Sequence, residues 1–278
     1  MPLPEPTPGR PVVVTGASAG IGEALAEELA SRGHDLVVVA RRAPVLRRLA
    51  RRLEREHAVA VAVEAVDLAD AAARDALLGR LTGRGRVPAG LCNNAGIGAF
   101  GRFVEADRRR ERSLVAVNVV AVHALTAGVL PAMVREGSGA VLNVASILGH
   151  GPQPFQATYA ASKAFVLSLS EAVAAELVGT GVSCTALSPG PVRTSIFATS
   201  GAGTFERLAP DLLWQQPAEV ARAAVDAMES GSRSVVPGLT NQVVAAAWRF
   251  LPNALRLPLQ EGFTAALPRV RRQRDRTS

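Results

Sequence analysis

The sequence predicts an α/β protein of one domain: a doubly wound parallel sheet of about seven strands with helices on both faces. Three observations carry this. Short β-branched runs alternate regularly with Ala-, Leu-, Arg- and Glu-rich stretches of helical length. The strand candidates are apolar on both faces, as parallel strands covered by helices are. A glycine-rich turn joins the first strand to the first helix. With 278 residues, 48% hydrophobic and 20% charged, the chain is long enough to bury a full core, which excludes disorder as its dominant state.

In chain order, Pro11 to Thr15 (PVVVT) reads as the first strand, with a helix over 20–32 after the glycine turn. His34 to Ala40 (HDLVVVA) is the second strand, and 43–56 a helix whose Arg47, Arg48, Arg51, Arg52 and Arg55 form a solvated face. Val59 to Val66 and Gly90 to Asn94 follow as strands on either side of a helix over 70–82. A long helix over 110–136 leads to the strand Ala140 to Ser146 (AVLNVAS), and a helix over 157–179 to Val182 to Ser188 (VSCTALS). A helix over 217–230 and a short strand, Ser234 to Val236, complete the pattern. No internal repeat or long linker divides the chain. The expected organisation is a flexible N-terminal arm over 1–10, the sheet domain over 11–240 and a C-terminal helical extension with a basic tail over 241–278.

Composition removes several function classes. Two cysteines, Cys92 and Cys184, exclude a disulfide scaffold and read as reduced thiols, and no His/Cys spacing fits a metal site. The first eleven residues carry five prolines and no apolar run, unlike a signal peptide. No uninterrupted apolar stretch of about 18 residues marks a membrane span, so the expectation is a cytoplasmic protein, at most attached to a membrane surface. The net charge of +7 is concentrated in residues 269 to 278 (RVRRQRDRTS), where five Arg and one Asp give +4. Few aromatics interleave with the other basic residues, against nucleic-acid binding.

The turn after the first strand reads Thr15-Gly16-Ala17-Ser18-Ala19-Gly20-Ile21-Gly22. Glycines there let the backbone approach a pyrophosphate, whose charge meets the free N–H groups of a helix N-terminus. The second strand ends Val39-Ala40-Arg41-Arg42, without the acidic residue that would accept hydrogen bonds from an NAD ribose. A guanidinium suits a 2′-phosphate, so NADP(H) is expected over NAD(H), with Arg41 the main discriminator and Arg42 beside it.

One compositional feature points to chemistry. Of 31 basic residues, 30 are Arg; the single lysine, Lys163, stands four residues after the single tyrosine, Tyr159. Positions i and i+4 share a helix face. A nearby ammonium favours the phenolate, and lowering a phenol pKa from 10 toward 7 needs about 4 kcal/mol, which the ammonium and an oxidised nicotinamide in a dry pocket are expected to supply together. Such a tyrosine exchanges protons with a carbonyl or alcohol near neutral pH. Thirteen residues upstream, Ser146 closes a strand at the end where open parallel sheets bind ligands.

Together these stretches resemble the short-chain dehydrogenase/reductase family, over roughly residues 10 to 236. The matching motifs are TGASAGIG at Thr15–Gly22, NNAG at Asn93–Gly96, Asn118, Ser146, the YxxxK from Tyr159 to Lys163, and Pro189-Gly190 followed by Thr194. The resemblance implies a Rossmann-type fold and a division of labour. Tyr159 is the implied general acid/base, Ser146 polarises the carbonyl, Lys163 holds the nicotinamide ribose and lowers the tyrosine pKa, and Asn118 supports a proton-relaying water. Gly16, Ser18, Ile21 and Gly22 bracket the pyrophosphate; Asp67 and Leu68 contact the adenine; Asn94, Ala95 and Gly96 line the cleft; Pro189, Gly190 and Thr194 seat the nicotinamide. A homodimer or homotetramer through the helices near 110–136 and 157–179 is also implied.

Substrate choice in that family lies where the match thins. The loop Ile147 to Phe155 and the segment Ser195 to Gln216, with Ile196, Phe197, Phe205, Leu208, Leu212, Leu213 and Trp214, are apolar with scattered Gly and Pro. That fits a lid over a hydrophobic ligand and equally fits packing on the domain or a second subunit. The C-terminal extension, with Trp248, Phe250 and Leu251 beside Arg249 and Arg256, is open between membrane contact, pocket cover or subunit contact, and a loosely packed end. The expected function is hydride transfer between NADP(H) and a hydrophobic carbonyl or secondary alcohol; the alternative is a dinucleotide-binding sensor or scaffold without turnover.

Overall fold

The computed structural model describes residues 3–194, 214–252, 254–258 and 260. Its elements run β1 (Val12–Thr15), α1 (Gly20–Ser31), β2 (Leu36–Ala40), α2 (Ala43–His57), β3 (Val61–Ala65), α3 (Ala71–Thr82) and β4 (Gly90–Asn93). Then come α4 (Arg108–Val115), a π-helical segment (Ala116–Ala121), α5 (Val122–Glu136), β5 (Gly139–Val144) and α6 (Ala157–Glu176). The chain closes with β6 (Val182–Leu187), α7 (Pro217–Ser230), β7 (Ser234–Val235) and α8 (Leu239–Phe250). The strands form one seven-stranded sheet of order β3-β2-β1-β4-β5-β6-β7, and every pairing is parallel.

Alternation along each strand divides the core between the two faces of the sheet. Val12 and Val14 face a cluster with Leu25 and Leu29 of α1, Leu46 and Leu53 of α2, and Val220 and Met228 of α7. Val13 and Val141 face the other way, toward Leu77 of α3 and Leu125, Val129 and Met133 of α5. Each fully buried leucine of this kind contributes about 2 kcal/mol relative to exposure. The chain winds outward from β1 through β2 and β3, returns to β4 beside β1, and then winds the other way. That reversal opens a crevice at the carboxyl ends of β1 and β4, where ligands bind in such sheets.

One sequence expectation changes. Residues 1–10 were expected as a flexible arm, but Leu3 is buried, its N–H donates to the Met228 carbonyl at 3.0 Å, and its side chain joins the core. Burying that leucine offsets the entropy of ordering the short segment. The helix from Arg108 to Glu136 contains an 18-residue window of mean hydropathy 2.0, long and apolar enough by composition to cross a bilayer. Here its Val117, Ala121, Val122, Leu125, Val129 and Met133 are spent on the core instead.

Candidate active site

At the end of β1 the chain turns through Gly16 at φ +67°, a left-handed conformation that glycine adopts without strain. A Cβ at Gly16 would stand 2.8 Å from the Ala95 Cα and from Asn94 Nδ2, and one at Gly22 would collide with the Asn94 side chain and the Gly16 carbonyl. The turn is therefore closed against the NNAG segment as tightly as backbone allows. Asn94 Nδ2 donates to the Thr15 carbonyl at 2.9 Å, and Thr15 Oγ1 accepts from the N–H groups of Asn94 and Ala95, both at 3.0 Å. Ala19, the N-cap of α1, offers no capping side chain. The first-turn N–H groups beside Ser18, Ile21 and Gly22 are thus left for an anion, which fits a dinucleotide pyrophosphate.

Arg41 and Arg42 both lie exposed at the end of β2. Arg42, rather than the favoured Arg41, reaches the glycine turn: its Nη2 donates to Ser18 Oγ at 3.2 Å and to the Ser18 carbonyl at 3.3 Å. After β3, Asp67 is exposed, and its carboxylate accepts the Ala69 N–H at 3.0 Å in a local turn; Leu68 is buried. The Leu68 carbonyl is held by Nη1 of the buried Arg74 at 2.7 Å, a link that sequence reasoning missed.

Asn118 sits in the π-helical segment, a widened turn that recurs at functional sites. Its Oδ1 accepts the Ile97 N–H at 2.8 Å, and its Nδ2 donates to the Ile97 carbonyl at 3.0 Å and to Ser162 Oγ at 3.1 Å. Ser162 Oγ in turn donates to the Tyr159 carbonyl at 2.6 Å. The amide thus clips the loop after β4 to the first turns of α6. A Cβ at Gly96 would stand 3.6 Å from both Asn118 Oδ1 and Lys163 Nζ, so these three residues converge.

Lys163 is buried on α6, with Nζ donating to the Val144 carbonyl at 2.7 Å and lying 5.8 Å from the Tyr159 ring centroid. Desolvation pulls its pKa down to about 8. Ser146 lies close enough to the Tyr159 phenol to favour its ionised form, yet the phenol pKa is raised, because burial outweighs that effect. The two side chains by themselves leave a neutral phenol; the expected lowering toward 7 counts on a bound nicotinamide as well. Ser146 is buried beyond the end of β5, where its Oγ accepts the Leu148 N–H at 3.2 Å. With one lone pair so occupied, its O–H remains able to donate.

The third wall comes from the segment after β6. Pro189 accepts the Ile147 N–H at 3.1 Å, tying it to the residue after Ser146. A Cβ at Gly20 would stand 2.9 Å from Thr194 Cγ2, which brings Thr194 onto the glycine turn. Gly190 packs directly on the Asn241 side chain of α8. Of the expected lid, 195–213 lie outside the described residues, as does the arginine tail 269–278. His150 is half-buried against α6 and α8, its pKa lowered by burial and then by Arg249, with Glu171 opposing. Away from the crevice, Glu27, Glu56 and His57 bring ligand-type atoms within 4.8 Å of one another. Arg52 pairs with Glu27 at 2.8 Å and His57 with Glu27 at 2.7 Å, so this cluster is an ion-pair network between α1 and α2.

A parallel sheet with a dinucleotide cradle at its switch point and a Ser–Tyr–Lys group beside it defines a class of nucleotide-dependent oxidoreductases. The short chain dehydrogenase family matches residues 10–204. A short chain dehydrogenase of Pseudocercospora fijiensis is 36% identical over 196 residues, covering 70% of this chain and 63% of its own length. The solved short-chain dehydrogenase from Sphingobium yanoikuyae in complex with NADPH is 35% identical with a TM-score of 0.77, over 92% of this chain and 95% of that one. The bulky-bulky ketone specific alcohol dehydrogenase from Comamonas testosteroni is 30% identical with a TM-score of 0.73, over 88% of this chain and 96% of that one. The chain belongs to the short chain dehydrogenase family and is an oxidoreductase that uses a nicotinamide cofactor.

Proposed function

We propose that this chain is an NADP(H)-dependent reductase of hydrophobic ketones or aldehydes, able to run in the alcohol-oxidising direction, with Tyr159 as general acid/base. The observation that carries the proposal is the meeting of Ser146, Tyr159 and Lys163 past the end of β5, with the Ser146 hydroxyl beside the phenol and the Lys163 ammonium 5.8 Å from its ring centroid. The bound nicotinamide supplies or accepts the hydride. The Ser146 O–H donates to the substrate oxygen, which fixes the carbonyl and polarises it. Tyr159, neutral because it is buried, gives its proton to that oxygen as negative charge develops on it. The phenolate left behind is stabilised by the Lys163 ammonium, still largely charged at pH 7 with a pKa of about 8. Asn118 holds Ile97 and Ser162 in place around this group.

The glycine turn at Gly16, Ser18, Ile21 and Gly22 holds the pyrophosphate, with Asn94, Ala95 and Gly96 beneath it. Arg42 and Arg41 bind the 2′-phosphate, Asp67 and Leu68 border the adenine, and Pro189, Gly190 and Thr194 border the nicotinamide. Support for NADP(H) comes from the Arg42–Ser18 contact and the NADPH held by the Sphingobium relative. Support for a bulky apolar substrate comes from the stacked Phe100 and Phe155, 6.3 Å apart, in the loops after β4 and before α6, and from the ketone named for the Comamonas neighbour. NADPH oxidation against aliphatic, aryl and steroid-like ketones and long-chain aldehydes tests the reading. Turnover with NADPH on apolar carbonyls is expected, and no turnover across the panel overturns it.

Exposed Val115, Val120, Val134 and Phe165 on α4 to α6 support self-association through those helices, to be read by light scattering. On α8, Leu239, Val243 and Phe250 are exposed along one face beside Arg249. With the +4 tail of residues 269 to 278, this supports weak contact with an anionic bilayer. Flotation with anionic but not neutral vesicles is the expected result.

A further inference from the structure

The loop that follows Ser146 is held from behind by a part of the chain that no motif covers. Ile147–His150 forms a 3-10 turn, and α8 packs along its outer side. Beyond α8 the chain turns at Pro252 and returns, placing Arg256 under the loop. Arg256 is buried at 4% exposure, and its Nη1 donates to the His150 carbonyl at 3.1 Å and to the Trp248 carbonyl at 2.6 Å. One guanidinium thus joins α8 to the substrate loop. Four residues later Gln260, also buried, donates from Nε2 to Gln153 Oε1 at 2.8 Å. Gly151 lies so close that a Cβ added there would collide with the Arg256 guanidinium. Between the two polar links, Leu257 closes a cavity of about 540 Å³ with Gly151 to Pro154 and Ala157, Ala160, Ala161 and Ala164 of α6. Those alanines recur at i, i+3, i+4 and i+7 and share a face, about a third of a turn from that of Tyr159 and Lys163.

We infer that Arg256 is a positioning residue: with Gln260 it clamps the loop 147–155, so the C-terminal extension sets the placement of Ser146 and of the substrate against Tyr159. The physical basis is the cost of moving a buried cation. A guanidinium withdrawn from water holds its carbonyl partners firmly, because leaving them strands both the charge and the carbonyls. The loop it holds would otherwise be short, Gly- and Pro-rich and free to sample other positions. Misplacement of reacting groups by about 1 Å costs on the order of a hundredfold in rate. The clamp touches neither the glycine turn nor the end of β2, which hold the pyrophosphate and the 2′-phosphate, so the groups that dominate cofactor affinity lie outside it.

This inference rests on the carbonyl-reductase reading for its kinetic arm but not for its structural one. The test compares Arg256→Ala, Arg256→Lys, Gly151→Ala and the double variant Gly151→Ala/Arg256→Ala, in full-length protein. Gly151 has φ 171°, an extended conformation open to alanine, so its added methyl displaces the guanidinium without backbone strain. Hydrogen exchange of the peptide spanning 147–156 is expected to rise at least tenfold in Arg256→Ala and Gly151→Ala. NADPH affinity stays within twofold and exchange in β5 and β6 is unchanged. With a ketone substrate, kcat/KM falls at least tenfold in both, with KM raised and kcat lowered together. Arg256→Lys, which can reach one carbonyl, lies between. In the double variant the methyl meets no guanidinium, so its loss equals that of Arg256→Ala alone. The inference is overturned if loop exchange stays at the wild-type level, if NADPH affinity falls in step with turnover, or if the two losses add in full. Were no carbonyl turned over by the wild type, the exchange and affinity arms would still decide the clamp.

Discussion

Replacing Lys163 by methionine is expected to stabilise the cofactor-free protein while abolishing its turnover. The ammonium is buried, its pKa lowered from 10.5 to about 8 by desolvation. By linkage, the charged form costs the folded chain about 3 kcal/mol at pH 7. The substitution also strands the Val144 carbonyl, which Nζ now satisfies at 2.7 Å, at a cost of about 1–3 kcal/mol. The net expectation is a gain of about 1 kcal/mol at pH 7. The sign of the pH dependence follows from the direction of the shift. Between about pH 8 and 10.5 the unfolded chain holds the Lys163 proton and the folded chain does not, so wild-type stability rises with pH across that window. On the order of 1 kcal/mol of the penalty is relieved between pH 7 and 9. Cys92 and Cys184, both pushed up to about 12, act in the opposite sense above about pH 9, but they are common to both proteins and cancel in the difference. Urea unfolding of both cofactor-free proteins at pH 7, 8 and 9 measures it. A variant less stable than wild type at pH 7, together with a gap that does not move between pH 7 and 9, would refute the reasoning.

Arg42→Ala is expected to weaken NADPH binding at least tenfold and Arg41→Ala less, with NADH affinity changed under twofold in both; fluorescence titration reads this. Asn118→Ala removes the partners of the Ile97 N–H and carbonyl inside the fold and should cost about 2–3 kcal/mol in urea unfolding. Both cysteines are buried thiols, so a disulfide-exchange reagent at pH 8 should label neither until urea unfolds the chain.

The sheet was legible because each strand is a compact β-branched run and each helix a longer Ala- and Leu-rich one, so local pattern and global fold agree. The site was legible where chemistry needs a scarce residue: the only tyrosine and only lysine fell together at the Ser146 strand end. Other features left no local mark. The π-helical segment at Asn118 arises from packing on Ile97 and Ser162, residues distant in sequence. Leu3 looked like part of a proline-rich arm because its partner, Met228, is in α7. Arg256 was read only as a charge beside Trp248, Phe250 and Leu251, open to membrane contact, since nothing in LPNALRLP announces burial. The desolvation that raises the Tyr159 pKa in the cofactor-free chain left no mark either: a charge four residues away is visible in sequence, whereas burial is visible only in three dimensions.

The central claim is that the Tyr159 phenol delivers the proton in carbonyl reduction. Its most direct test is the single-turnover rate of NADPH oxidation by Tyr159→Phe, with saturating ketone and cofactor affinity measured on the same sample. The account predicts NADPH affinity within twofold of wild type and a rate about a thousandfold lower. A rate within threefold of wild type, with cofactor bound normally, would contradict it.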